Sequence, residues 1–300
     1  MNATAPTIPR TDEHLLRPGN TNCGGCGMSI GLTMLDRALT DAAETCSLVI
    51  PACCGIVTAG AFPTTSYGVP TIATTFASSP AVASGVAAIR DLNEEPGQVI
   101  CWAGDGGTYD IGMGTLSAAA ERNENIIYIC YDNEIYGNTG GQRSSATPAR
   151  ARTTTTPWGK TQDKKDIMTI MAGHRIPYAA TLSIAHPEDF AHKLATALAL
   201  KGMRFLLLHS PCPTGWKSEP ADSVKLVRLA VGSGLFPLYE VFDGATYRIN
   251  VEPDGTDPAE YFQCQRRFDA EEIDLRATRR ACADRIQRLQ ALATQYPADG

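Results

Sequence analysis

Five stretches of the chain are almost continuously apolar: CSLVIP (46–51), QVICWAG (98–104), NIIYICYD (125–132), YAATLS (178–183) and MRFLLLHS (203–210). Runs of this length without alternation are what strands covered on both faces require. Around them, residues 29–40, 80–93, 112–123, 164–173 and 187–201 repeat apolar side chains at three- and four-residue spacing, the period of a helix with one buried face. Alternation of the two kinds predicts an α/β fold, a mostly parallel sheet with helices on both faces. The pattern weakens after about residue 215. YRINVEP (247–253) reads as a strand, and 270–293 as a charged amphipathic helix suited to solvent or to docking on another subunit. The apolar residues near 216–240 read equally as an amphipathic helix and loop or as a face buried against a partner. The expected division is an N-terminal arm (1–18), a main domain (19–240) and a C-terminal extension (241–300).

Composition narrows the class. A chain of 300 residues, 43% of them apolar, can fill one large core. A net charge of −6 and the lack of any sustained Lys/Arg run argue against nucleic acid or an anionic membrane as partner. The first twenty residues lack a signal-like apolar segment, and nowhere do about 18 uncharged apolar residues run together. The chain is therefore read as cytoplasmic, and its ten cysteines as reduced thiols, some of them ligands.

Two loops carry candidate chemistry. The strand VICWAG runs into GDGGTYDIGMGTL, a glycine-rich turn opening a helix. Such a turn brings backbone N–H groups and a favourable helix dipole to a phosphate, at the strand end where open α/β sheets bind ligands. The plain alternative is an ordinary tight turn. The second loop, in NIIYICYDNEIYGNTGG, places Asn133 28 positions after Asp105. A carboxylate and an amide oxygen at neighbouring strand ends suit Mg²⁺, which takes one or two protein groups beside diphosphate oxygens. The stretch that follows, 134–163, is long, rich in Gly, Thr, Ser and Pro, and of the length that is usually functional. In GNTNCGGCGMS (19–29), Cys23 and Cys26 could form half a zinc site, a redox pair or part of an iron–sulfur ligand set. The histidines His14, His174, His186, His192 and His209 show no metal spacing, and Cys101 and Cys130 lie inside apolar strands as core residues.

Taken together, GDG, DNEIYGNTGGQ, GNTNCGGCG, IPACCG and LLHSPCPTGW resemble the β subunit of the 2-oxoacid:ferredoxin oxidoreductases, or the matching domain of single-chain pyruvate:ferredoxin oxidoreductases, over roughly residues 17–240. The resemblance implies thiamine diphosphate held through Mg²⁺ by Asp105, the Asn133 side chain and the Ile135 carbonyl, with Gly104, Gly106 and Thr139 lining the diphosphate. It makes Asn138 the amide beside the reacting carbon, where it would meet a developing oxyanion. It assigns a [4Fe-4S] cluster to Cys23, Cys26, Cys54 and Cys212, with Cys53 the alternative to Cys54. It further implies coenzyme A as co-substrate, an α-type subunit that completes the active site, γ-type and ferredoxin-like δ-type subunits, and ferredoxin or another acceptor for the electrons. Pyruvate is the default substrate, beside an aromatic acid of the phenylglyoxylate type, a branched-chain 2-oxo acid or oxalate. PACCG and Arg143 in the loop depart from the commonest family pattern. Two other classes stand against this reading: a non-redox thiamine diphosphate enzyme with a structural zinc, and a non-catalytic scaffold subunit.

Overall fold

Six parallel strands form the centre of the molecule: β1 (Cys46–Pro51), β2 (Thr71–Thr74), β3 (Gln98–Gly104), β4 (Ile127–Asp132), β5 (Tyr178–Ser183) and β6 (Arg204–His209). They come from a computed structural model that describes residues 14–59 and 65–295. Two further strands extend the sheet, β7 (Leu238–Phe242) antiparallel to β5 and β8 (Thr246–Val251) antiparallel to β7, giving one eight-stranded sheet in the order β2-β1-β3-β4-β6-β5-β7-β8. Strands β1, β4, β5 and β6 are buried along their whole length, which is the reason their sequences show no alternation.

The helices are α1 (Gly27–Asp41), α2 (Cys54–Val57), α3 (Ser79–Leu92), α4 (Met113–Glu121), α5 (Ile167–Gly173), α6 (Pro187–Ala199), α7 (Pro213–Trp216), α8 (Ser223–Gly232), α9 (Pro258–Gln263) and α10 (Leu275–Gln295). Over the sheet, α1 packs beside α6 and α3 beside α4. This is the α/β architecture the apolar pattern predicts. The edge strand β2 escaped that pattern because TIAT is short and only half-buried. Strand β7 escaped it because LYEVF carries a buried charge, Glu240, that Tyr178 Oη and Asn250 Nδ2 each satisfy at 2.6 Å.

Residue 240 lies in the middle of β7, so the sheet runs on through the start of the segment read as an extension. Of the expected arm, residues 1–13 lie outside the described residues. Leu15 is buried, with its N–H on Asp36 Oδ1 at 3.1 Å and its carbonyl accepting from Gly68 N at 3.0 Å.

Topology fixes where chemistry can occur. Strands β1, β3, β4 and β6 are consecutive neighbours and parallel, so the loops leaving their carboxyl ends share one edge of the sheet. Those loops begin at residues 52, 105, 133 and 210.

Candidate active site

The β3 loop opens at Asp105, which precedes a π-helical turn (Gly106–Asp110) leading into α4. The β4 loop folds over this turn. An added Cβ on Gly106 would overlap the Tyr136 ring, so only glycine permits that approach. Tyr136 Oη bonds Asp110 Oδ2 at 2.5 Å, Ser145 Oγ bonds Asp110 Oδ1, and Ser144 Oγ bonds Asp105 Oδ2. The long connection is therefore fastened to two carboxylates of the preceding turn.

Three buried carboxylates gather beneath it. Asp132 accepts from Tyr109 Oη at 2.7 Å and pairs with Lys164 at 2.6 Å. Glu134 pairs with Lys164 at 2.8 Å and with Arg267 at 2.6 Å. Asp105, 2% exposed, has only the Ser144 hydroxyl and no cation within ion-pair distance among the described residues. Burial and then the neighbouring Asp132 charge push the Asp105 carboxyl well above its ordinary range. Burial opposes ionisation of Glu134 as well, but Lys164 and Arg267 outweigh it and hold the group down to about 2. Two cations for three carboxylates leave Asp105 without a positive partner among the described residues. Asn133, just past the end of the neighbouring strand β4, is also buried; its Oδ1 accepts from Ile135 N at 3.3 Å.

The thiols come from three loops. Gly27 N donates to Pro211 O at 2.9 Å, bringing the start of α1 against the segment after β6 and so Cys26 beside Cys212. A cavity of about 640 Å³ is lined by Cys23, Cys26, Cys54 and Cys212 and also by Asn133 and Asn138. Cys54 has its thiol pushed up to about 12, first by burial and then by the other cysteines, Cys212 foremost. Cys212 is raised to about 11 by burial, although Gly215 N donates to its sulfur at 3.3 Å. Cys53 differs: half-buried, its thiol meets Tyr131 and the backbone at Gly55, Ile56 and Gly104, and it does not line the cavity. The two adjacent cysteines point in different directions because Cys53 is extended and Cys54 starts a helical turn. Among the described residues no three Asp, Glu, His or Cys side chains meet at single-ion distance; the thiols ring the cavity instead.

Asn138 is exposed at the cavity wall, whereas Thr139 is exposed outside it and bonds Gln142. Gly104 and Gly106 flank Asp105 behind the wall, and Arg143 faces solvent. Another cleft, of about 560 Å³, lies between the ends of α8 and β8 and α10 and contains no predicted site residue.

Three contributors were not visible in the sequence. Lys164 lies within a stretch read as helical, Trp216 sends Nε1–H to Asn133 O at 2.7 Å, and Arg267 stacks on Trp216 at 4.1 Å while reaching Glu134. The signal that could have found them is the buried Glu134 itself, which needs cations from somewhere.

Comparison with known proteins gives the family and the fold. The family "Thiamine pyrophosphate enzyme, C-terminal TPP binding domain" matches residues 53–209, from the Cys53 loop to the end of β6. Pyruvate synthase subunit PorB of Methanothermobacter marburgensis is 43% identical over 86% of this chain and 90% of its own length. This chain is a β subunit of the 2-oxoacid:ferredoxin oxidoreductase family. Ketoisovalerate oxidoreductase subunit VorB of Pyrococcus furiosus is a second β-subunit relative, 41% identical over 97% of this chain and 96% of its own. In fold, the β subunit is similar to a 2-oxoglutarate:ferredoxin oxidoreductase from Magnetococcus marinus solved with 2-oxoglutarate, coenzyme A and succinyl-CoA (TM-score 0.59, 22% identity, 71% of this chain and 79% of that one). As a member of this family the β subunit binds thiamine diphosphate and acts in oxidative decarboxylation of a 2-oxo acid, within a multi-subunit complex. No helix among the described residues is long and apolar enough to cross a membrane.

Proposed function

We propose that this β subunit carries Mg²⁺ and thiamine diphosphate at Asp105, Asn133 and Ile135 and a [4Fe-4S] cluster on Cys23, Cys26, Cys54 and Cys212, for CoA-dependent oxidation of pyruvate. The observation that carries the reading is a single cavity lined by all four cysteines together with Asn133, Ile135 and Asn138, Gly215 lying against both Ile135 and the Cys212 sulfur. Four thiols ringing about 640 Å³ suit a polynuclear cluster better than a zinc ion held at ~2.3 Å from each sulfur.

Thiamine diphosphate, when bound, supplies the electron sink for cleavage of the carboxylate carbon. The chain's own part is to bind, orient and insulate. Asp105 brings the missing partner charge to the metal, Asn133 and Ile135 contribute neutral oxygens, and Gly104 and Gly106 let the turn approach the diphosphate. Thr139, next to the cavity-wall residue Asn138, would line the diphosphate. Asn138 donates its amide N–H to the oxyanion that develops on the substrate. Burial first and the neighbouring cysteines after it raise the Cys54 and Cys212 thiols, and a cluster held there would take the cysteines as thiolates whose charge its iron would offset. A cluster on these cysteines would supply the exit for electrons toward a ferredoxin-like δ-type subunit or free ferredoxin, with α-type and γ-type subunits completing the assembly.

A branched-chain substrate is the second reading. It is favoured by the VorB relative, whose similarity extends over 97% of the chain where that of PorB covers 86%. The test is anaerobic, CoA-dependent reduction of an electron acceptor by the chain co-purified with its partner subunits. Pyruvate should give the highest kcat/KM among pyruvate, 3-methyl-2-oxobutanoate, phenylglyoxylate and oxalate. Preference for the branched acid moves the assignment to the second reading, and absence of CoA-dependent reduction with all four overturns both.

A further inference from the structure

Glu134 stands between the two β4-loop residues assigned to the metal, and its backbone has φ +63, in the left-handed region that costs a non-glycine residue on the order of 1 kcal/mol. Nothing about a surface turn would favour glutamate there. Every polar group of this residue is used, however. Its carboxylate takes Lys164 at 2.8 Å and Arg267 at 2.6 Å, its N–H donates to Asp132 Oδ1 at 3.2 Å, and its carbonyl accepts from Thr147 Oγ1 at 2.6 Å. Arg267 is itself immobilised, stacked on Trp216 at 4.1 Å and on Phe268 at 4.9 Å, with Nε donating to Gln265 Oε1 at 2.8 Å. Thr147 also accepts from Ser144 N at 2.9 Å, and Ser144 bonds Asp105. One hydrogen-bonded chain thus runs from Glu134 through Thr147 and Ser144 to Asp105, and Trp216 holds the Asn133 carbonyl from the opposite side.

We propose that Glu134, anchored by Lys164 and Arg267, is a positioning residue that locks the β4 loop in a left-handed turn and so aims the Asn133 amide oxygen and the Ile135 carbonyl at the metal beside Asp105. The inference rests on the metal assignment proposed above. It assigns the C-terminal segment carrying Arg267 a direct part in cofactor binding, because the turn is held from there.

The test measures Mn²⁺ affinity by electron paramagnetic resonance in the assembled complex with thiamine diphosphate present. Glu134→Gln keeps the side-chain volume and removes the charge. Glu134→Gly removes the clamp while relieving the backbone. Both should bind Mn²⁺ about 10- to 100-fold more weakly than wild type, with the iron content of the complex unchanged. Lys164→Met, at a position 26% exposed, should fall between them and wild type. Wild-type affinity in Glu134→Gly would overturn the inference, since the backbone conformation alone would then suffice. Asp105→Asn separates the two levels: if it retains wild-type Mn²⁺ affinity, the metal assignment itself fails, whereas loss of binding in Asp105→Asn with no change in Glu134→Gln sinks only the clamp.

Discussion

Cys53 and Cys54 show how one residue step changes chemistry. The first turns toward the Tyr131 hydroxyl, off the cavity wall, and the second lines the cavity with Cys212, Cys26 and Cys23. Cys54→Ser should lose the cluster and with it acceptor reduction, while Cys53→Ser should keep both; iron analysis and visible absorption of the two variants decide it. A second prediction concerns His209, stacked on Phe236 at 4.7 Å and held neutral, with its pKa lowered to about 3 by burial. The charges facing it are Glu134, Lys164 and Arg267, the carboxylate opposing the shift and the two cations adding to it. Because the folded state disfavours the imidazolium that the unfolded chain forms, the stability this group contributes is complete above about 6.5 and is lost as pH falls toward about 3. His209→Phe should remove up to ~1.4 kcal/mol per pH unit of that slope, read from urea unfolding midpoints across the same range.

At the scale of elements, the seam between α1 and the segment after β6 decides whether the cysteine loops meet. An added Cβ on Gly27 would lie 2.7 Å from Pro211 N, a backbone atom that cannot swing aside. Gly27→Ala should therefore cost about 1–3 kcal/mol in unfolding free energy and lower the iron content, while leaving thiamine diphosphate binding in place. Trp216→Phe should cost ~1–3 kcal/mol by leaving the buried Asn133 carbonyl without its donor, measured by thermal melting. The parallel strands β1, β3 and β5 were legible to the residue, because burial on both faces writes itself as unbroken apolar runs. The loop motifs were legible because glycine, cysteine and asparagine are required at those positions by geometry and chemistry. What was not legible is pairing over long separations. Glu134 with Arg267 spans 133 positions, and no periodicity links them. Strand β7 was hidden by its buried Glu240, whose partners Tyr178 and Asn250 lie elsewhere in the chain.

For the whole molecule, one sheet edge gathers loops from β1, β3, β4 and β6, so the proposed cofactor and cluster sites share a wall instead of occupying separate domains. The C-terminal segment is part of that edge through Arg267, which braces the β4 loop and covers Trp216. Relatives of this family act in multi-subunit complexes, and on the proposal above the chain purified alone should not turn over a 2-oxo acid. The measurement that tests the account most directly is iron, acid-labile sulfide, zinc and thiamine diphosphate content of the anaerobically purified complex, wild type beside Cys54→Ser. A deficit of about four iron and four sulfide per β subunit in the variant, with thiamine diphosphate retained in both, is the predicted result. Equal iron in the two complexes, or zinc in place of iron at wild-type cysteines, would contradict it.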